Sequence, residues 1–172
     1  MKGVELRLIA ELMKDSRRSD RELAKIIGVS QLTVTRMRTR LEKEGYIKEY
    51  TMIPDFCKLG YKIMGVTQAE LKEPYKESEF EDIRKKTSEI EKNNPHASLM
   101  AVNGLNHGKN RLFITFYEDY TAYSKAMELT KKLPFVNVEN IETFLVNLED
   151  KTNYRLLSMT EIAKHTLKKN NI

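Results

Sequence analysis

Between Ser30 and Leu41 the chain reads Ser-Gln-Leu-Thr-Val-Thr-Arg-Met-Arg-Thr-Arg-Leu, a stretch with three arginines, four hydroxyl side chains and no acid. A guanidinium is a planar fork that fits the edge of guanine or a phosphate, and a carboxamide such as Gln31 fits the edge of adenine. Val34, Met37 and Leu41 recur at helical spacing, so the 100° step per residue turns Leu32, Thr35, Arg36 and Thr39 away from that apolar stripe. Gln31 and Thr33 flank this outward face at its N-terminal end, and Arg38 and Arg40 lie along its edges. Such a helix can hold a duplex through its phosphates and read it through its bases. Ser30, Gln31, Thr33, Thr35, Arg36, Arg38 and Arg40 are therefore candidate contacts to double-stranded DNA.

The elements that must position this helix are legible upstream. Val4, Leu8 and Leu12, with Ile9 and Met13 beside them, predict a first amphipathic helix from about Val4 to Lys14, broken by Asp15-Ser16-Arg17-Arg18. Ser19 followed three residues later by Glu22 is a capping box, in which each side chain satisfies the other's free backbone N–H. It opens a second helix, Asp20 to Ile27, with Leu23, Ala24 and Ile27 inward. Gly28 ends it, Val29 fills the corner and Ser30 caps the third helix, which stops at Gly45. Two helices joined by this short turn form a helix-turn-helix, whose second helix enters the major groove. Tyr46 to Ile53 alternates as a strand up to Pro54, a wing that would place Lys48 on a phosphate.

Composition agrees with a polyanionic partner for one part of the chain only. Residues 1–50 carry twelve basic and eight acidic side chains, residues 51–150 thirteen and sixteen, and residues 151–172 five and one. Basic ends around an acidic middle predict domains with different partners. In 172 residues with one cysteine, Cys57, neither a large multidomain enzyme nor a disulfide framework nor a cysteine-rich metal site fits. His96, His107 and His165 have no ligand spacing, so no metal, cofactor or catalytic residue is expected. Met1 to Glu5 runs into an amphipathic pattern rather than a long apolar stretch, and a soluble cytoplasmic protein with no membrane partner is expected.

The middle of the chain predicts a strand from Lys62 to Leu71, a helix from about Glu77 to Asn93 and a strand from Ala97 to Asn103. After a glycine-bearing loop, Asn103 to Gly108, come a strand from Arg111 to Glu118, a helix marked by Ala122, Ala126, Leu129 and Leu133, and a strand from Val138 to Leu148. This is the βαββαβ order of a ferredoxin-like fold, with both helices on one face of the sheet. The strands are apolar on both faces, with Phe113 and Tyr117 opposite Leu112, Ile114 and Phe116, and Phe144 and Val146 opposite Ile141 and Leu145. The uncovered face calls for a second copy of the chain. Ser158 and Glu161 form another potential capping box, opening a basic helix to about Lys169 that packs across the sheet or dimer edge or touches phosphate through Lys164, Lys168 and Lys169. The expected class is α+β: a winged helix-turn-helix over 1–53, a linker over 54–61, a ferredoxin-like domain over 62–150 and a basic helical tail over 151–172.

The N-terminal pattern resembles the Lrp/AsnC (leucine-responsive, or feast/famine) transcription regulators over residues 3–61. The residues that carry the resemblance are Asp15-Ser16-Arg17, Ser19, Glu22-Leu23-Ala24, Gly28-Val29-Ser30, Thr33-Val34, Arg36, Leu41-Glu42, Gly45-Tyr46-Ile47 and Leu59-Gly60. Ser16 stands where the family usually has glycine and Arg18 where it usually has an aliphatic residue. The resemblance implies a sequence-specific DNA-binding regulator, a homodimer or higher oligomer, whose C-terminal domain senses small molecules. It also places an effector near Gly104, Asn106 and His107, with Asn106-His107-Gly108 in place of the family's acidic position. Two other readings stay open at the level of sequence. The siroheme decarboxylases resemble these regulators but act on a tetrapyrrole, and a protein-binding module can keep the helix-turn-helix shape.

Overall fold

Seven apolar side chains close the first part of the molecule: Leu8, Leu12, Leu23, Ala24, Ile27, Val34 and Leu41 form one buried cluster. They come from α1 (Gly3–Lys14), α2 (Asp20–Ile27) and α3 (Gln31–Lys43) of the computed structural model. The structure describes residues 3–72, 81, 85, 88, 89, 92, 96–133, 135–150, 152 and 158–172. The capping box of α2 is formed: Glu22 N donates to Ser19 Oγ at 3.3 Å and Ser19 N donates to Glu22 Oε2 at 2.8 Å. The bond from Ser19 N and a second one from Ser19 Oγ, both to Glu22 Oε2, hold the Glu22 carboxyl below the usual carboxylate range. Gly28 closes the helix in the left-handed region at φ 80, its N–H donating to Ala24 O.

The wing does not form as a strand. Residues 47–54 lie in no regular element, because alternation suits a strand only where a neighbour offers a ladder, and here the backbone is held otherwise. Tyr46 N and Ile47 N donate back to Leu41 O, Tyr50 Oη donates to Glu42 at 2.6 Å and Ser16 Oγ donates to Thr51 O at 3.3 Å.

The chain folds as two units, residues 1–54 with 154–172, and residues 55–153. The tail therefore joins the N-terminal unit instead of crossing the sheet. Its helix α5 (Thr160–Lys169) packs on α1. On α1, Leu8 and Leu12 face the helix-turn-helix core, while Leu6 and Ala10, buried but outside that cluster, lie about half a turn of the helix away. Ala163 of α5 is fully buried, and Ile172 lies where a Cβ on Gly3 would meet its Cδ1 at 3.4 Å. The Ser158–Glu161 pair does not close a reciprocal box: Ser158 Oγ accepts from Thr160 N at 3.2 Å instead of Glu161 N, and Glu161 pairs with Lys164. Replacing Ala163 with lysine should destabilise the N-terminal unit by about 1–3 kcal/mol through overpacking and burial of a charge. Lys164→Ala, which removes only an exposed pair with Glu161, should stay within about 0.5 kcal/mol. Thermal denaturation of the two variants checks both values.

The second unit is an antiparallel sheet in the order β2-β3-β1-β4, the ferredoxin-like order, from β1 (Ile63–Leu71), β2 (His96–Asn106), β3 (Lys109–Tyr117) and β4 (Val136–Asn147). The helix expected from about Glu77 to Asn93 falls largely outside the described residues. Helix α4 (Tyr120–Lys131) is capped by Asp119, whose carboxylate accepts from Ala122 N at 2.8 Å. It covers the face bearing Thr67, Ala69, Thr115 and Tyr117 with Ala122 and Ala126. β2 runs three residues further than the sequence predicts. The loop is a two-residue hairpin at His107 (φ 47) and Gly108 (φ 85), the pair of left-handed residues that matches the twist of the flanking strands. A Cβ on Gly108 would also meet Asn140 Nδ2 at 3.2 Å.

The opposite face follows from the register: Met64 pairs with Phe116 and Val146, Val66 with Ile114 and Phe144, and Ile114 with Met100. Phe56 stacks on Phe116, with centroids 4.0 Å apart. Phe144 is 72% exposed and Met100 40%, so this apolar surface is open in the single chain.

Candidate nucleic-acid interface

Helix α3 is about 20 Å long at 1.5 Å per residue, and it is anchored from below by Val34 and Leu41, both fully buried. Ser30 starts it: its Oγ accepts from Thr33 N at 3.1 Å and lies 2.8 Å from Thr33 Oγ1. Those two hydroxyls thus engage each other in the cap. Thr35 Oγ1 donates to Asp20 Oδ2 of α2 at 2.6 Å and also lies 3.1 Å from Gln31 O. The three hydroxyls that the sequence places at the start of α3 all have partners within the unit.

The basic candidates divide in the same way. Arg38 is the more enclosed, paired with Asp20 at 2.8 Å, donating to Arg18 O and lying over the Tyr50 ring at 5.6 Å. Arg40 pairs with the buried Glu5 and, at 3.7 Å, with Glu44. These two arginines brace α3 against α2 and α1. Arg36 and Lys48 are exposed and make no ion pair among the described residues. Gln31 is likewise exposed, and Leu32 presents 59% of its surface to solvent.

Several acids around the helix-turn-helix are paired internally, which shifts the field at its surface toward positive. Asp20 holds Arg38 and the Thr35 hydroxyl, Glu11 holds Arg18 and Lys14, and Glu22 holds the Ser19 cap. Glu42 accepts from Tyr50, whose phenol is pushed up to about 12 by burial and by that bond and so remains a donor. Arg17, Arg21 and Lys25 are exposed without an ion pair among the described residues. Sequence reasoning passed over these three, although their signal was present: a first helix of this motif crosses the backbone, and Arg21 and Lys25 lie four apart on α2. The surface offers cations without an ion pair among the described residues around a helix that carries no acid from Gln31 to Leu41.

The residues expected near an effector lie at the hairpin end of the sheet. Asn106 Nδ2 donates to Gln68 Oε1 at 2.5 Å, and His107 Nδ1 lies 2.6 Å from Asn106 Oδ1. Gly104 has open space where a Cβ would sit, so nothing within the described residues of a single chain requires glycine there. Among the described residues no three His, Cys, Asp or Glu side chains gather to hold a metal ion. Nor is any described helix long and apolar enough to cross a membrane.

Residues 1–48 match the winged helix-turn-helix DNA-binding family. LrpC of Bacillus subtilis, named an HTH-type transcriptional regulator, is 42% identical over 69 residues, 40% of this chain and 48% of LrpC. An uncharacterized HTH-type transcriptional regulator of Pyrococcus abyssi is 41% identical over 58 residues, 34% of this chain and 39% of that one. The chain thus spans between two fifths and half the length of these curated relatives. The likeness of fold runs further. The crystal structure of PH0061 from Pyrococcus horikoshii superposes with a TM-score of 0.67 at 25% identity, covering 92% of this chain and 97% of the other. The structure of Bacillus subtilis LrpC gives a TM-score of 0.68 at 25% identity over 89% and 99%. In its N-terminal sequence and in the fold of both units, the chain is similar to regulators of the Lrp/AsnC family.

Proposed function

We propose that the protein is a sequence-specific DNA-binding transcription regulator that works as a homo-oligomer in the cytoplasm and has no enzymatic activity of its own. The observation that carries this reading is the state of charge around α3, where Asp20, Glu5 and Glu44 are paired with arginines within the unit while Arg36 and Lys48 stay exposed with no ion pair among the described residues. Arg36 and Gln31 address the bases. Lys48, Arg17, Arg21 and Lys25 supply phosphate contacts, which set affinity and its salt dependence. Ser30, Thr33, Arg38 and Arg40 act one step back, by shaping the start of α3 and holding it in place.

The open sheet face is where two copies meet, because an exposed surface bearing Met64, Val66, Ile114, Phe144 and Met100 needs cover that the chain itself does not provide. Such a dimer carries two α3 helices, for which dyad-related half-sites about one helical turn, roughly 34 Å, apart are the expected target. Replacing Phe144 with lysine sets an unpaired charge in that contact twice over and should weaken self-association by about tenfold or more. Light scattering across a dilution series reads the change. A small-molecule effector acts at the hairpin end, with Gly104, Asn106 and His107 among the residues that meet it. Selection from a random duplex library tests the whole reading: it should yield a motif of two dyad-related half-sites with that spacing. Recovery of no enriched motif at low salt would overturn it in favour of a protein-binding role.

A further inference from the structure

The outward chemistry of α3 differs from its residue types. Ser30 and Thr33 bond to each other in the cap, and Thr35 Oγ1 donates to Asp20 Oδ2 at 2.6 Å. With Oγ1 drawn back toward α2 and the Gln31 carbonyl, the group that exposed Thr35 offers a partner is its methyl. Three residues earlier, and so beside it on the same helix face, stands Leu32, 59% exposed although it is a leucine in the first turn of the helix. Arg36 follows Leu32 by four residues and Thr35 by one, unpaired and exposed. An apolar pair on an otherwise polar face, next to a guanidinium, has a counterpart in the major groove. Among the groups that DNA displays there, the 5-methyl of thymine is the apolar one, and alkyl side chains are its partners.

We infer that Leu32 and Thr35 read thymine 5-methyl groups, so that the half-site carries one or two thymines beside the base or phosphate that Arg36 contacts. The inference rests on the DNA-binding reading above and adds a chemical specificity to it. Thr35 is suited to this because its hydroxyl is fixed by Asp20, which orients the methyl. Asp20 is a positioning residue that itself touches no base.

The test replaces thymine with deoxyuridine, one position at a time, in the duplex recovered by selection. This removes the methyl and leaves every hydrogen-bonding group of the base in place. Burial of one methyl-sized group predicts about a fourfold loss of affinity at each thymine that is read. Thr35→Ser keeps the hydroxyl and its bond to Asp20 but lacks the methyl, and Leu32→Ala trims an exposed side chain, so both should fold. In each variant one position should lose its sensitivity to deoxyuridine while the others keep theirs. Selective binding indifferent to deoxyuridine throughout would overturn the inference and leave the DNA-binding reading intact. A sensitivity that persists unchanged in both variants would overturn the assignment to these residues. Absence of selective binding to any duplex would overturn the underlying reading, and this inference with it.

Discussion

Replacing Arg36 with alanine is expected to cost about 1–3 kcal/mol of binding to the preferred duplex, a fall of roughly five- to 150-fold, without loss of stability. The size follows from what the side chain does in the free protein. It is exposed and pairs with no acid among the described residues, so its donors are available to a base or phosphate. Alanine is the best helix former, so an exposed exchange in the body of α3 leaves the helix intact. If Arg36 reads a base, the loss is confined to duplexes with that base pair, and discrimination at that position relaxes. If it holds a phosphate, all duplexes lose alike and the salt slope falls by about one. Competition titrations at two salt concentrations separate the two cases. Arg40→Ala provides the contrast, because it takes a guanidinium from the buried Glu5 and should lower the melting temperature of the unit.

Leu23→Ala is expected to have the largest effect on stability, about 2–5 kcal/mol, confined to the N-terminal unit. Leu23 is fully buried and lies in the cluster shared by α1, α2 and α3. Removing three carbons leaves a cavity among side chains from all three helices, which cannot collapse without moving α3. The sheet has its own packing and falls in a separate unit. Hydrogen exchange read by mass spectrometry should show faster exchange over residues 3–54 and unchanged protection over β1 and β3. Equal loss of protection in both units would contradict the division. DNA binding should fall with the first unit, because the geometry of the helix-turn-helix is what presents Arg36.

The parts of this architecture legible in the sequence are those fixed by neighbouring residues. Ser19 and Glu22, Gly28, and the stripe of Val34, Met37 and Leu41 each act within a few positions, and each stands in the structure where its spacing places it. The misreadings concern partners from elsewhere in the chain. Tyr46 to Ile53 alternates like a strand, yet no ladder forms, because alternation does not supply a neighbouring edge. Ser158 and Glu161 have the capping-box spacing, but Ser158 Oγ accepts from Thr160 N and not from Glu161 N, and Glu161 pairs with Lys164. In α1, Leu6 and Ala10 were silent because their partner, α5, lies some 150 residues away. The candidate interface shows the same limit: residue types place Thr35 and Arg38 on α3, but only the fold shows that Asp20, fifteen and eighteen residues earlier, engages them both. The sequence names a face of hydroxyls and arginines, and the structure leaves Gln31, Leu32 and Arg36 exposed on it while the Thr35 hydroxyl turns to Asp20.

The claim that α3 reads DNA sequence is met most directly by an anisotropy titration of the selected duplex against a scrambled duplex of equal composition at moderate salt. Selective binding at least about a thousandfold tighter to the selected duplex, in the range usual for specific over non-specific sites, is the predicted result. Equal and weak binding to both duplexes would contradict it, leaving a basic surface that holds DNA without reading it.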